Sequence, residues 1–299
     1  MLDRSQIEAY HRDGYIVLND LLSSTEIQQL RDRADNFVAG ARAVVAHNEV
    51  YDLEDSHTPD SPRVRRIKTP HLHHPDFAAV MKHPGIVGAL GDLWGPNIRF
   101  DSSKLNMKSA GFGAPVQWHQ DWAFYPHTND DLAAVGVMLD DCDLENGPML
   151  MIPGSHRGPI YDHHENGQFC GAIDPRACGI DVSRAVPITG KAGSVSIHHV
   201  RIVHGSAANV SGNQRRLYLL MYRAADAWPL MGMAGTLADY DAQMIAGKPS
   251  IEPRLAPVPV RLPLPPADSQ GSIYEMQKSG DRRYFAPASA EAPSRRQST

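Results

Sequence analysis

The chain has 299 residues, 42% of them apolar and 21% charged, with a formal net charge of -5. That is enough for a sizeable core in one elaborated domain, and the acidic balance excludes the basic face that backbone binding to nucleic acid needs. No run of about 18 apolar residues predicts a membrane helix, the start lacks the apolar core of a secretory leader, and three cysteines without CxxC spacing fit a reducing, cytoplasmic setting.

In chain order, residues 5–12 predict a helix that stops at the turn pair Asp13-Gly14, followed by a short β-branched and aromatic strand over 15–18. Ser23 and Glu26 form an S-x-x-E capping box ahead of Ile27, Leu30, Ala34 and Phe37, which recur at helical spacing. Residues 47–62 are polar and rich in turn formers, so a long loop of the lid or binding kind is expected. The basic stretch Arg63, Arg65, Arg66 and Lys68 follows it. It suits an anionic substrate, although charge runs more often form a solvated face. Helices resume at 75–82 and 84–94, each with proline in its first turn.

Beyond Pro96 the character changes to short strands at 98–108, 133–139, 186–188, 194–197, 202–204 and 217–222, divided by Gly, Pro, Asn and Asp. Strands behind a helical section predict an α+β protein with a mainly β core. Residues 253–266 are dense in proline and should run extended across the surface. The expected organisation is one domain over 1–284: a helical part to 95, a β core over 96–225 and an extension over 226–284. A disordered tail over 285–299 follows.

The chemistry lies in Gln117-Trp118-His119-Gln120-Asp121-Trp122. In an extended segment residues i and i+2 share a face, so His119 and Asp121 can grip one metal ion. Taken alone, H-x-D is a weak signal, since the pair also fits a polar strand end. Downstream stands His204-Gly205-Ser206, with Arg215 eleven positions after the histidine, across a turn and into the next strand. Two histidines and one carboxylate on one side of an octahedral ion leave open positions for oxygen and substrate, the arrangement of iron(II) oxygenases. A guanidinium nearby can hold a carboxylate through two parallel hydrogen bonds.

With these motifs the chain resembles the phytanoyl-CoA dioxygenase family of iron(II)/2-oxoglutarate enzymes. The likeness covers Asp13-Gly14-Tyr15, His119-Gln120-Asp121, Glu145-Asn146-Gly147-Pro148, Pro153-Gly154-Ser155-His156-Arg157, His204-Gly205-Ser206 and Arg215. It implies a double-stranded β-helix, the cupin-like jelly roll, with flanking helices. It implies His119, Asp121 and His204 as catalytic iron(II) ligands. It also implies Arg215 on the distal carboxylate of 2-oxoglutarate, with Ser206 as a hydrogen-bonding partner. On strand 98–108 some family members place a polar side chain against the other 2-oxoglutarate carboxylate or the substrate. Alternation puts Lys104 there, on a face with Phe100, Ser102 and Asn106; an exposed lysine is the competing reading. The activity implied is O2-dependent hydroxylation of an aliphatic C–H in a small molecule, with release of succinate and CO2. Related halogenases lack the carboxylate, so Asp121 favours hydroxylation, or desaturation or ring formation from the same oxidant.

Other residues carry weaker expectations. His198 and His199 are adjacent and cannot both face the metal; His199 matches a non-ligand position of the family and is expected to pack or to support the ligands. Arg216 suits a surface ion pair, and His156 a structural turn. One of Trp122, Phe124 and Tyr125 should face the cavity mouth, and Trp228 is a candidate cover. Two readings stay open beside the main one: a cupin-like metalloenzyme that does not use 2-oxoglutarate, and a non-catalytic ligand-binding relative.

Overall fold

The computed structural model of the protein describes residues 2–111, 113–267, 272–281 and 283–286. A capping box between Asp3 and Gln6 starts α1 (Arg4–Asp13), and Gly14 ends it in the left-handed region at φ 85°. β1 (Tyr15–Leu18) follows, and the expected Ser23/Glu26 box starts α2 (Ser24–Gly40).

The stretch expected to be a loop contains half of a hairpin. β2 (Tyr51–Leu53) pairs antiparallel with β3 (Val64–Lys68). Its cross-strand partners are Asp52 and Arg66, both buried and joined by a 2.8 Å hydrogen bond, so apolar alternation does not mark the pair. The basic stretch is therefore spent on ion pairs: Arg65 with Glu54 and Glu275, Arg66 and Lys68 with Asp52.

The helices α3 (Pro70–His73), α4 (Pro75–Val80) and α5 (Pro84–Trp94) each open on a proline. Then come β4 (Ile98–Lys108), β5 (Val116–His119), β6 (Leu132–Met138), β7 (Met149–Met151), β8 (His164–Glu165), β9 (Gln168–Phe169), β10 (Val186–Ile188), β11 (Val195–His199), β12 (His204–Ser206) and β13 (Arg215–Ala224). The chain closes with α6 (Leu237–Asp241), β14 (Met244–Ala246) and α7 (Ile273–Lys278). The strand expected over 202–204 starts only at His204, because the Ile202 amide closes a turn onto the His199 carbonyl.

Two antiparallel sheets face each other, giving the expected jelly-roll core. The larger runs β1-β11-β6-β13-β4-β3-β2, with β14 also on β4; the smaller runs β10-β7-β12-β5. Side-chain alternation divides the larger sheet. Leu105, Met107, Val135, Val137, Tyr218 and Leu220 point outward under the helices, while Ala134, Met138, Leu217, Leu219 and Met221 point between the sheets. A register shift at Met221/Tyr222 interrupts the β4–β13 ladder. It turns Phe100 to the outer side, against Tyr222 and His71, so Phe100 does not share the face of Lys104 and Asn106 as expected.

The proline-dense stretch runs without regular structure over the core, taking the Trp122 indole on the Pro259 carbonyl and the Phe169 amide on Pro265. Phe285, where the tail was expected to begin, is buried with its ring 5.4 Å from that of Trp118. Residues 287–299 of that tail lie outside the described residues. Among the described residues no helix is long and apolar enough to cross a membrane.

Candidate metal centre and its anion pocket

His119 ends β5 and His204 starts β12, and the two are direct cross-strand partners with ring centroids 4.0 Å apart. Each ring is set by its own backbone: His119 Nδ1 lies 2.8 Å from the Gln117 carbonyl and His204 Nδ1 3.1 Å from that of Ile202. A proton on each Nδ1 leaves each Nε2 lone pair facing the centre. Gln120 is extended at φ -123°, which brings Asp121 to the His119 side, and Asp121 then opens a 3-10 turn rather than continuing a strand. One donor atom from each of His119, Asp121 and His204 lies within 4.8 Å of the others, and all three residues are buried. Two imidazoles, one carboxylate and an open side fit iron(II).

Gln120 points the opposite way and holds this turn in place. Its amide group donates to the Pro159 and Arg201 carbonyls and accepts from the Tyr161 amide. Its backbone N–H donates to His163 Nε2 at 2.9 Å, and burial pushes His163 down to about 3, keeping that acceptor neutral. The Pro153–Arg157 motif braces the other ligand: Ser155 Oγ accepts from the Val203 amide at 2.8 Å. His156 has the expected structural role, filling the space beside Gly14 where any Cβ would meet its ring at 2.4 Å.

Burial alone would raise the Asp121 carboxyl, but His119, His198 and the charges of His204 and Lys104 hold it well below the usual range. Burial likewise keeps His204 well below the ordinary imidazole value, which favours its neutral form. Strand alternation sends the adjacent histidines to opposite faces. His198 turns inward, with Nε2 3.6 Å from Asp121 Oδ2 and its ring 4.9 Å from that of His204. His199 turns outward, packing on His156 and 3.7 Å from Asp130.

The cavity runs from the metal ligands to Arg215 and has about 550 Å³ of empty space including its opening. Its walls include the alternating β4 residues Lys104, Asn106 and Lys108, with Ser206 two positions beyond His204 on the same face. Arg215 starts β13 directly opposite Lys108 at the end of β4, and both are buried. The Arg215 guanidinium donates to the Gly147 carbonyl and the Lys108 ammonium to that of Ala207. Gly147 sits at φ 74°, and a Cβ there would come within 2.8 Å of the Ala207 oxygen, which explains the glycine of the Glu145–Pro148 motif. Burial, then the neighbouring Arg215, pulls Lys108 well below the ordinary lysine value, and burial depresses Arg215 as well.

Ile273 and Tyr274 of α7 roof the cavity. Gln277 ties the helix to β5 by accepting from the Gln117 amide at 2.9 Å, and Arg65 ties it to β3 through Glu275.

His119, Asp121, His204, Arg215, Ser206 and Lys104 all line this one cavity. Arg216 faces away and pairs with Asp35 and Asp140. Of the aromatic residues after H-x-D, Trp122 is core, the Phe124 ring stands edge-on to His119, and the Tyr125 hydroxyl lies near Asp121 and Met221. Trp228 stacks on Tyr240 and is not among the cavity's lining residues. Sequence reasoning missed Lys108, His198, Gln120 and Tyr274. Lys108 was reachable, being the next same-face residue of β4 after Lys104 and Asn106.

Residues 10–217 match the sequence model of the family described as Phytanoyl-CoA dioxygenase (PhyH). The chain is 38% identical to the probable alpha-ketoglutarate-dependent hypophosphite dioxygenase of Stutzerimonas stutzeri, over 94% of this chain and 99% of that one. It is 30% identical to the L-proline trans-4-hydroxylase of Streptomyces griseoviridis, over 74% of this chain and 86% of the relative. Among solved structures, the crystal structure of EctD from S. alaskensis with bound Fe superposes with a TM-score of 0.65 at 25% identity, covering 86% of this chain and 88% of that one. The chain belongs to the phytanoyl-CoA dioxygenase family.

Proposed function

We propose that this chain is an Fe(II)- and 2-oxoglutarate-dependent dioxygenase that hydroxylates a small molecule. The observation that carries this reading is one cavity holding the His119, Asp121, His204 donor set at one side and the buried carboxylate anchor Arg215 at the other. Substrate, O2 and 2-oxoglutarate give hydroxylated substrate, succinate and CO2; one oxygen atom enters the product and the other the new succinate carboxylate. Iron(II), when bound, supplies the oxygen-activating chemistry.

The residues around it do the positioning. His119 Nε2, Asp121 and His204 Nε2 hold the metal and leave the remaining positions to cosubstrate and oxygen. Arg215 and Lys108 take the distal carboxylate of 2-oxoglutarate, with the Ser206 hydroxyl beside them. Tyr274 and Ile273 keep water from that end. The reading without 2-oxoglutarate has no use for two buried cations there. Hypophosphite, proline and ectoine, named for the relatives, are small polar molecules and support a substrate of that size.

We read residues 1–284 as one catalytic domain, supported by β14 joining β4 and by α7 roofing the cavity. A cytoplasmic setting is supported by the odd number of cysteines without CxxC spacing.

The deciding experiment is anaerobic titration of the iron(II) protein with 2-oxoglutarate. A metal-to-ligand charge-transfer band is expected, absent in His119→Ala and Asp121→Ala. A substrate screen that includes hypophosphite and proline then follows succinate release. Absence of the band, with iron bound, sinks the assignment.

A further inference from the structure

We propose that the substrate is a compact anion, held beside the metal centre by the Lys104 ammonium with the His198 imidazole as a second donor. The proposal rests on the dioxygenase reading above and names what that site accepts.

Charge is the first ground. Three cationic side chains, Lys104, Lys108 and Arg215, line the cavity against a single carboxylate, Asp121. The carboxylates outside the cavity whose charges reach them are already engaged, Glu54 by Arg65 and Asp140 by Arg216 and Arg31. None of the three cations forms an ion pair with a carboxylate among the described residues. Iron(II) brings two positive charges and 2-oxoglutarate two negative ones, so they cancel. Two positive charges remain in a largely buried space, where unpaired charge is costly. A second anion balances them.

Position is the second ground. Lys108 stands opposite Arg215, whereas Lys104 lies four residues back along β4, about 13 Å away at the rise of a strand. No single carboxylate spans that distance. Lys104 is instead at the Asp121 end, where the carboxylate raises its ammonium against the lowering effect of burial. It therefore stands nearer to Asp121 than to the Lys108–Arg215 pair that takes the cosubstrate's distal carboxylate.

His198 is the third ground. It is 1% exposed, its Nδ1 has no hydrogen-bond partner among the described residues, and its Nε2 has only a long approach to Asp121, an unusual state for a buried imidazole. Its Nε2 is 3.6 Å from Asp121 Oδ2, so it comes from β11 to the same end that Lys104 reaches from β4. An oxyanion between them satisfies both. Ala134, Leu217 and Leu219 form the apolar floor of the cavity, which the substrate shares with 2-oxoglutarate.

The test uses the iron(II) protein saturated with 2-oxoglutarate under argon, and calorimetric binding of phosphite, methylphosphonate and propionate against dimethyl sulfoxide, acetone and propionamide. At least one anion is expected to bind and, once O2 is admitted, to raise succinate formation; the neutral probes do neither. Lys104→Met weakens that anion tenfold or more and Lys104→Arg restores most of it, while 2-oxoglutarate affinity stays within twofold in both. His198→Phe weakens the anion and His198→Asn retains part of its binding. Binding of none of the three anions, or equal binding of a neutral probe, overturns the proposal. So does a Lys104→Met protein that loses 2-oxoglutarate instead, which would place the lysine on the cosubstrate. A wild-type protein that never binds 2-oxoglutarate fails at the earlier step and takes the substrate proposal with it.

Discussion

Lys108 and Arg215 stand directly opposite each other on neighbouring antiparallel strands, two buried cations on the same face. Like charges so placed repel, and each is left to donate to a backbone carbonyl. A carboxylate between them reverses the sign of that interaction. Lys108→Met is expected to weaken 2-oxoglutarate binding by about 10- to 100-fold, the worth of one charge-assisted hydrogen bond. Binding of 2-oxovalerate, which lacks the distal carboxylate, should not change. Equal losses for both ligands in an anaerobic titration would refute the assignment of Lys108.

The same pair makes cosubstrate binding depend on pH. In the free protein burial and Arg215 hold Lys108 well below the ordinary lysine value, and a bound carboxylate favours its charged form. Between the lowered value and the raised one, binding takes up a proton, so affinity falls as pH rises through that window. The slope of log affinity against pH, measured in wild type, should flatten in Lys108→Met.

Acid sensitivity has a separate origin. Burial lowers His163 and His199 to about 3 each, whereas in the unfolded chain both protonate near 6.5. The folded state therefore binds fewer protons, and stability is lost as pH falls from about 6.5 towards 3. Each histidine contributes up to about 1.4 kcal/mol per pH unit in that interval. Urea midpoints of the metal-free protein should drop between pH 7 and pH 5, and less steeply in His199→Gln. An unchanged slope in that variant would remove His199 from the account.

Gln120 sits between His119 and Asp121 and ties that segment to the one leading to His204 by donating to the Arg201 carbonyl, while it also accepts from the Tyr161 amide. Gln120→Leu leaves buried backbone groups without partners, at about 1 to 3 kcal/mol of stability. Iron(II) affinity should fall by about 10- to 100-fold, as for other groups that orient metal ligands. Metal titration of the refolded variant against wild type checks this.

The legible features of the sequence were those written in short spacings. H-x-D across one extended residue, H-G-S and the arginine eleven positions on all meet in the cavity. The capping boxes and proline starts of the helices are likewise local, and they appear where spacing puts them. What escaped depends on partners distant in the chain. The β2–β3 hairpin is invisible to apolar alternation because Asp52, Arg65 and Arg66 are buried in it alongside Leu53, Val64 and Ile67. The register shift at Met221/Tyr222 follows from pairing, not composition, and it decides which β4 residues share the cavity face. His198 and His199 could be separated by parity only once β11 was seated between β1 and β6.

All three residues proposed to hold the metal precede Gly205, whereas the cavity's roof begins at Ile273. Loading of the ion and sealing of the chamber are thus written in separate stretches of the chain. Gly205 itself joins them from outside, since Phe285 packs where its side chain would be, at 2.9 Å from an added Cβ. A protein cut after Ala267 keeps its ligands and loses its roof, so it is expected to consume 2-oxoglutarate wastefully, forming succinate without a matching amount of product.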